Sequence, residues 1–124
     1  MKKRILLVDD EPEICFLLQN LIQRAGMECR ITSTLGQARV ALAEGKFDAV
    51  FLDVHLSDGR GYDLISDIRK TAPGTRCIAI SAVDDERGNA MQAGADAFIP
   101  KPFTQAEILL SLDASVPPAK NNIH

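Results

Sequence analysis

The sequence predicts an α/β domain in which five parallel strands form one sheet that is covered by helices on both faces. Short apolar runs and segments with helical periodicity alternate along the chain, which is the pattern of repeated strand–helix units. Three of the apolar runs are almost continuously hydrophobic, as expected for parallel strands that are buried on both sides. Right-handed crossovers between five such units give a doubly wound sheet.

The strands are predicted from five short runs that are rich in aliphatic and β-branched residues. Pro100 is expected to end the fifth strand, because proline cannot donate a hydrogen bond to a neighbouring strand. The five runs are 5–8 (ILLV), 29–33 (CRITS), 48–54 (DAVFLDV), 77–81 (CIAIS) and 96–99 (DAFI).

Five helices are predicted between and after these strands. The first lies between Pro12, which suits a first helical turn, and Gly26, which suits the position after a helix end. Thr34 is expected to cap a second helix that runs to Gly45, and Thr104 is expected to cap the fifth. Apolar residues at helical spacing mark four of these helices, and those of the second helix are expected to point inward. They are Ile14, Leu17, Leu18, Leu21 and Ile22 in the first helix, Leu35, Ala38 and Leu42 in the second, Leu64, Ile65 and Ile68 in the third, and Ile108, Leu109 and Leu112 in the fifth.

Two parts of the chain carry weaker signals. The fourth helix, predicted over about 84–93, has few apolar residues and is expected to be the most mobile. The segment 116–124 is rich in proline and polar residues, so it is predicted to be a linker or a frayed tail. The folded domain is therefore predicted to span residues 3–115.

Length and composition limit the classes of function. A chain of 124 residues with 46% hydrophobic and 25% charged residues fits one globular domain with a continuous core. The net charge of −3 argues against direct binding of nucleic acid. No apolar run approaches the ~18–20 residues of a membrane helix, and the first residues do not form a signal peptide. The three cysteines form no ligand motif and are expected to be reduced core thiols, so a cytoplasmic protein is predicted.

Polar and charged residues follow four of the predicted strands. In a doubly wound parallel sheet the carboxyl ends of the strands form the edge where ligands bind. We therefore expect carboxylates, a hydroxyl and an ammonium group to meet at this edge. They are Asp9, Asp10 and Glu11 after the first strand, Asp53 at the end of the third, Ser81 at the end of the fourth and Lys101 after the fifth.

The chemistry that these groups favour is phosphoryl transfer to an aspartate. Crowded carboxylates repel one another unless a cation lies between them, and oxygen ligands of this kind suit Mg²⁺. Asp53 lies alone at the end of the central strand and could attack phosphorus to give an aspartyl-phosphate. Lys101, which is held between two prolines, and the Ser81 hydroxyl could then contact the phosphoryl oxygens.

Four motifs in a fixed order resemble a known family. They cover nearly the whole chain, and their combination is far more specific than any one of them alone. The motifs are LLVDDE (6–11), DAVFLDVHLSDGRGYDL (48–64), IAISA (78–82) and GADAFIPKPF (94–103). The sequence resembles the receiver domain of bacterial two-component response regulators.

The resemblance implies a flavodoxin-like fold with the strand order 2-1-3-4-5. It also implies roles for four residues. Asp53 is similar to the phospho-acceptor of the family, and Ser81 and Lys101 are similar to the hydroxyl and the lysine that bind the phosphoryl group. Phe98 is similar to the aromatic residue that rotates, together with Ser81, when the domain switches. The bond between Lys101 and Pro102 is implied to be cis.

The resemblance further implies a Mg²⁺ site. Asp10, Asp53 and the backbone carbonyl of His55 resemble direct ligands, and Asp9 resembles a residue that acts through a metal-bound water. His55 and Val83 lie two residues beyond Asp53 and the serine of the fourth strand, so they are expected to flank the path of a hydrolytic water. The His55 side chain is expected to be an exposed loop group, which could orient or obstruct this water.

These residues predict a signalling domain. It is expected to take a phosphoryl group from a sensor histidine kinase or a phosphotransfer protein. It is expected to catalyse only its own phosphorylation and dephosphorylation, with no external substrate. The face formed by the fourth helix, the fifth strand and the fifth helix is expected to change and to contact an output domain, a target protein or a second copy of the chain.

Two alternative functions remain open on the sequence. A haloacid-dehalogenase-like Mg²⁺ phosphatase also uses a strand-end aspartate, but it has a second acid two residues later, where this chain has His55. A receiver-like interaction domain that is not phosphorylated would lack one of the key residues, and none is missing here. Turnover of phosphate monoesters would favour the first alternative, and a lack of Mg²⁺-dependent phosphoryl uptake would favour the second.

Overall fold

The computed structural model describes residues 2–83 and 86–112. Its main sheet contains the five strands β1 (Arg4–Val8), β2 (Glu28–Thr32), β3 (Ala49–Asp53), β4 (Arg76–Ser81) and β5 (Ala97–Pro100). All neighbours in this sheet are parallel, and their order is β2-β1-β3-β4-β5. The predicted fold class and strand order are confirmed.

The five helices within these residues are α1 (Pro12–Arg24), α2 (Leu35–Glu44), α3 (Tyr62–Thr71), α4 (Glu86–Ala93) and α5 (Gln105–Ser111). Both predicted caps are confirmed. The Thr34 side chain accepts a hydrogen bond from the Gln37 amide at the start of α2. Thr104 and Glu107 form a reciprocal capping box at the start of α5.

The core has two halves, one on each face of the sheet. Successive residues of a strand point to opposite faces, so Ile5 and Leu7 belong to one half. Leu6 and Val8 belong to the other half. Helices α1 and α5 cover the first face, and helices α2, α3 and α4 cover the second. The sheet is therefore held between two apolar layers, which leaves its carboxyl edge as the place for polar groups.

Two strand boundaries differ from the prediction, and one apolar residue of the first helix is not buried. Leu17 is among the residues that mark this helix, but it is 46% exposed. Neighbouring positions of a helix are about 100° apart, and the buried stripe of α1 runs through Leu18, Leu21 and Ile22 instead. Strand β2 lies one residue earlier than predicted, and β5 lies one residue later, so that Pro100 is its last residue. The predicted tail, 116–124, and the first two positions of the predicted fourth helix lie outside the described residues.

A short antiparallel ladder follows β3, and no feature of the sequence had indicated it. His55–Leu56 pairs with Gly59–Arg60. In the turn between them, the Asp58 carboxylate accepts hydrogen bonds from the amides of Leu35 (2.9 Å) and Gly36 (3.1 Å). These two bonds hold the pKa of Asp58 below its ordinary value. They fix the segment that follows β3 against the start of α2.

The three cysteines are free thiols in the structure. Cys15 and Cys77 are buried, and Cys29 is half-buried. Burial raises the pKa of Cys15 to about 11, with a smaller contribution from the nearby Asp9 carboxylate. These positions agree with core thiols, while the cellular compartment stays a prediction. Within the described helices, none has the length and hydropathy that a membrane span would need.

Two glycines near α4 should respond in opposite directions to substitution by alanine. Gly94 has a φ of 115°, and a Cβ atom there would lie 2.5 Å from the Cγ atom of Arg69. A Cβ atom on Gly88, inside α4, would meet no atom within 4 Å. We expect Gly94→Ala to lower the free energy of unfolding by about 1–3 kcal/mol. We expect Gly88→Ala to raise it by up to about 1 kcal/mol. Urea denaturation measures both, and changes of the same sign would contradict this account.

Candidate functional site

Three carboxylates from two strands meet at the carboxyl end of the sheet. Asp9 and Asp10 directly follow β1, and Asp53 is the last residue of β3. One oxygen of each side chain lies within 4.8 Å of the oxygens of the other two. Asp9 and Asp53 are buried, whereas Asp10 is exposed. The structure thus brings the three acids together because the parallel strands β1 and β3 are direct neighbours.

Lys101 follows β5 and supplies a positive charge to the same cluster. Its Nζ atom lies 2.5 Å from Glu11 Oε1, 3.2 Å from Asp53 Oδ2 and 3.4 Å from Asp9 Oδ2. Burial alone would lower the Lys101 pKa, but the bond to Glu11 and the charges of Asp53 and Asp9 outweigh it, so the pKa lies above its ordinary value. The ammonium is therefore permanently charged at neutral pH. The bond between Lys101 and Pro102 is cis, as the resemblance implied.

The environment of Asp9 disfavours its charged form. Its Oδ1 atom accepts a hydrogen bond from the Glu11 amide at 2.8 Å, while Oδ2 is buried without a hydrogen-bond partner among the described residues. Burial raises the pKa of Asp9 to about 6, and the Asp53 charge adds to this, while the Glu11 amide and Lys101 act in the opposite direction. A buried carboxylate oxygen that faces two other carboxylates fits a hard divalent cation, which prefers oxygen ligands.

Ser81 is the last residue of β4, and Phe98 lies in the neighbouring strand β5. Ser81 is fully buried, and its Oγ atom accepts a hydrogen bond from the Val83 amide at 3.0 Å. Its backbone carbonyl accepts a bond from the Lys101 amide at 2.9 Å, which ties the two residues together. Phe98 is 4% exposed, and the Arg87 guanidinium of α4 stacks over its ring at 4.8 Å. The predicted switch aromatic thus touches α4 directly.

His55 connects the site to α4 in a way that was not predicted. Its backbone amide donates to Asp53 Oδ1 at 3.0 Å. Its side chain, which was expected to be an exposed loop group, is 39% exposed and places Nε2 2.6 Å from Glu86 Oε2. Arg60 reaches the same oxygen at 3.4 Å. Glu86 carries no sequence signal of its own, because an acid in the first turn of a helix is ordinary.

Comparison with protein families identifies the domain. Residues 5–113 match the family model described as the response regulator receiver domain. The chain belongs to this family. Receiver domains are signalling domains rather than enzymes of general metabolism, and nothing in these comparisons supports the phosphatase alternative.

Curated relatives of this receiver differ in length. It is 34% identical over 116 residues to the chemotaxis protein CheY of Thermotoga maritima, covering 91% of this chain and 97% of that protein. It is 37% identical over 116 residues to the transcriptional regulatory protein KdpE of Mycobacterium tuberculosis, covering 90% of this chain. It is 36% identical over 103 residues to the response regulator protein PilR of Pseudomonas aeruginosa, covering 82% of this chain. The receiver spans only 50% of KdpE and 23% of PilR.

Solved structures agree with the observed fold. A CheY-like receiver domain protein from Methanospirillum hungatei superposes with a TM-score of 0.84 at 29% identity, covering 90% of this receiver and 91% of that chain. The beryllofluoride-activated NtrC4 receiver domain, solved as a dimer, superposes with a TM-score of 0.82 at 32% identity, covering 88% and 92%.

The raised pKa of Asp9 predicts that Asp9 lowers the free energy of unfolding of the metal-free protein as pH rises. Folding raises this pKa from 3.8 to about 6, so the folded state holds the proton more tightly, and Asp9 destabilises the fold progressively as pH rises through this interval. Asp9→Asn should therefore be more stable than the wild type at neutral pH by about 1–3 kcal/mol, since one pKa unit corresponds to about 1.36 kcal/mol. Denaturation in EDTA at several pH values measures the difference. A difference that does not grow between pH 4 and 6 would show that Asp9 is not the responsible group.

Proposed function

We propose that this receiver accepts a phosphoryl group on Asp53 and signals through the resulting change in conformation. The observation that carries the proposal is the position of the Lys101 ammonium, 3.2 Å from Asp53 Oδ2 within a cluster of acids. Phosphoryl transfer depends on positioning and on fixed charges that balance the phosphoryl oxygens. A nucleophilic carboxylate beside a half-buried ammonium supplies both. Family membership in the receivers supports the same function.

The proposed cofactor is Mg²⁺. Asp10, Asp53 and the backbone carbonyl of His55 would bind it directly, and Asp9 would act through a metal-bound water. The proximity of the three carboxylates supports this set of ligands. The ion would neutralise the acid cluster and the incoming phosphoryl oxygens. Among the described residues, the buried Asp9 Oδ2 has no hydrogen-bond partner and only the Lys101 ammonium at 3.4 Å, which leaves room for such an ion.

Ser81, Lys101 and Phe98 are the proposed switch and binding residues. A phosphoryl group on Asp53 offers charged acceptor oxygens, and a charge-assisted hydrogen bond would draw the Ser81 hydroxyl toward it. Phe98 lies in β5, the strand next to that of Ser81, and its ring packs under the Arg87 guanidinium of α4. Rotation of the ring would therefore change its contact with that helix. The proposed output face consists of α4, β5 and α5.

The proposed phosphoryl donor is a sensor histidine kinase or a phosphotransfer protein in the cytoplasm. A cleft of about 350 Å³ adjoins Asp9 and Asp10 and is lined on its apolar side by Pro12, Phe16 and Ile31. Phe16 is 66% exposed, so a protein donor would find an apolar contact beside the acids.

The proposed recipients of the signal are an output domain, a target protein or a second copy of the chain. The dimer of the NtrC4 receiver supports the last of these.

Acetyl phosphate with Mg²⁺ is expected to add one phosphoryl group to the wild-type chain and none to Asp53→Asn, because an amide is a poor nucleophile. Intact-mass spectrometry measures the modification. The matched control is Asp10→Asn, which should bind Mg²⁺ more weakly but stay folded, since the loss of one acid also relieves repulsion. Undiminished modification of Asp53→Asn would refute the assignment, and a lack of phosphoryl uptake by the wild type would favour an interaction domain that is not phosphorylated.

Ser81→Ala is expected to uncouple phosphorylation from the output face. The variant should still be modified at Asp53, because the attacking oxygen belongs to Asp53 itself. The conformational response of the output face should be reduced. Hydrogen exchange of peptides from 82–112, with and without beryllofluoride, measures that response. A full wild-type response in the variant would mean that the signal does not pass through Ser81.

A further inference from the structure

The Asp58 carboxylate joins the hairpin 54–61, which follows β3, to the start of α2. We propose that Asp58 is a positioning residue: by binding the hairpin to α2, it holds the His55 carbonyl in place for a divalent cation. The inference rests on the proposed Mg²⁺ site. It gives an exposed residue outside the acid cluster a part in setting the affinity for that ion.

The contact consists of two hydrogen bonds from one helix end, which we call the Asp58 latch. Oδ1 accepts from the Leu35 amide at 2.9 Å, and Oδ2 accepts from the Gly36 amide at 3.1 Å. The first amides of a helix have no partner within the helix, so the latch satisfies two of them. The Thr34 side chain satisfies the next one, the Gln37 amide, at 3.0 Å. The start of α2 thus has two separate caps, and only the latch comes from a distant part of the chain.

The base of the hairpin is fixed by backbone hydrogen bonds. The Val54 amide donates to the Ile80 carbonyl of β4 at 3.1 Å, and the Gly61 amide donates to the Val54 carbonyl at 3.0 Å. The ladder beyond this base has only two residue pairs, and a short two-stranded ribbon is marginally stable by itself. The His55 carbonyl belongs to this ladder, so its position also depends on what holds the tip of the hairpin.

The tip has few other restraints. Residues 54–61 (VHLSDGRG) contain no proline, and residues 57–60 are exposed. Gly59 has a φ of 139°, and a Cβ atom there would lie 3.4 Å from Leu35 Cδ1, so the tip packs closely on the helix start that Asp58 binds. The side chains of His55 and Arg60 contact Glu86 of α4 on the other side. Loss of the latch would therefore leave the hairpin supported by α4 alone.

The start of α2 is also tied to the loop that carries the other acids. The Asp9 amide donates to the Thr32 carbonyl at 3.0 Å, and the Thr32 hydroxyl donates to the Leu7 carbonyl at 2.9 Å. Thr32 is the last residue of β2, and α2 begins three residues later at Leu35. The latch thus closes a ring of contacts from Asp9, through the end of β2 and the start of α2, to the hairpin. This ring joins the two loops that carry the proposed ligands.

The geometry of Mg²⁺ makes such a restraint matter. The ion requires nearly ideal octahedral geometry, so a ligand that moves weakens the binding. A backbone carbonyl moves with its segment of chain, which makes the His55 carbonyl the proposed ligand most dependent on the hairpin. Asp53 belongs to the buried strand β3, and Asp10 follows β1. We therefore expect loss of the latch to weaken Mg²⁺ binding while the nucleophile keeps its place.

The experiment is a Mg²⁺ titration of the full chain, followed by NMR at 0.15 M salt. Asp58→Ala should raise the Kd by about tenfold, as removal of a group that orients a metal ligand commonly does. Asp58→Asn keeps one acceptor oxygen and should raise the Kd by about threefold, and it carries the same test if the alanine variant does not fold. The matched control is Thr34→Ala, which removes the other cap of α2 without touching the hairpin and should change the Kd by less than about twofold.

Two further measurements separate positioning from charge and from a general loss of stability. Asp63→Ala removes an exposed acid in the first turn of α3, just after the hairpin, and should change the Kd by less than about twofold, because exposed charges are screened by salt. Urea denaturation in EDTA should show similar destabilisation of Asp58→Ala and Thr34→Ala. With acetyl phosphate, the Mg²⁺ concentration for half-maximal phosphorylation of Asp58→Ala should rise by about tenfold, while the rate at saturating Mg²⁺ stays near that of the wild type.

An unchanged Mg²⁺ Kd in Asp58→Ala would overturn the proposal, and so would an equal rise in Thr34→Ala or Asp63→Ala. A wild type that binds Mg²⁺ but takes up no phosphoryl group would refute the proposed function and leave the role of the latch standing. A wild type that binds no Mg²⁺ would refute both.

Discussion

The ammonium of Lys101 lies within 3.4 Å of carboxylate oxygens from Asp9, Glu11 and Asp53, and the arrangement of the sheet edge depends on this cluster. Like charges repel strongly where water is partly excluded, so such a group of acids persists only when the backbone holds it in place. Here each member follows or ends a strand of a sheet that is packed on both faces. The apolar core thus supplies the rigidity, and the edge keeps an excess of negative charge that a bound cation would neutralise.

Two side chains of helix α4 make contacts that lead back toward this edge. Its two buried residues are Glu86 and Ala90, so little apolar surface fixes it to the sheet. Glu86 is linked through His55 to Asp53, and Arg87 stacks over Phe98. Elements with few buried apolar contacts open or shift at low free-energy cost. The contact between His55 and Glu86 therefore links Asp53 to α4 by a short path.

Much of the fold follows from local patterns in the sequence. The strand runs, the caps at Thr34 and Thr104, and the turn signals are properties of a few neighbouring residues, so they can be recognised without the rest of the chain. Leu17 shows the limit of this reasoning, because it is apolar and lies at the margin of the helical stripe, yet it is exposed. Which margin of a stripe is buried depends on the partner that packs there, and periodicity alone does not contain that information.

The sequence by itself determined the doubly wound sheet and the set of polar residues at its carboxyl edge, because parallel strands place their ends together whatever the exact packing. Only the tertiary structure decided which of these groups touch. Lys101 meets Glu11 across 90 residues of sequence, and Glu86 meets Arg60 across 26. Contacts of this kind depend on the direction of side chains after the helices have packed. A buried Glu86 and a surface Glu in the same helical turn look identical in the sequence, and only their packing and partners tell them apart.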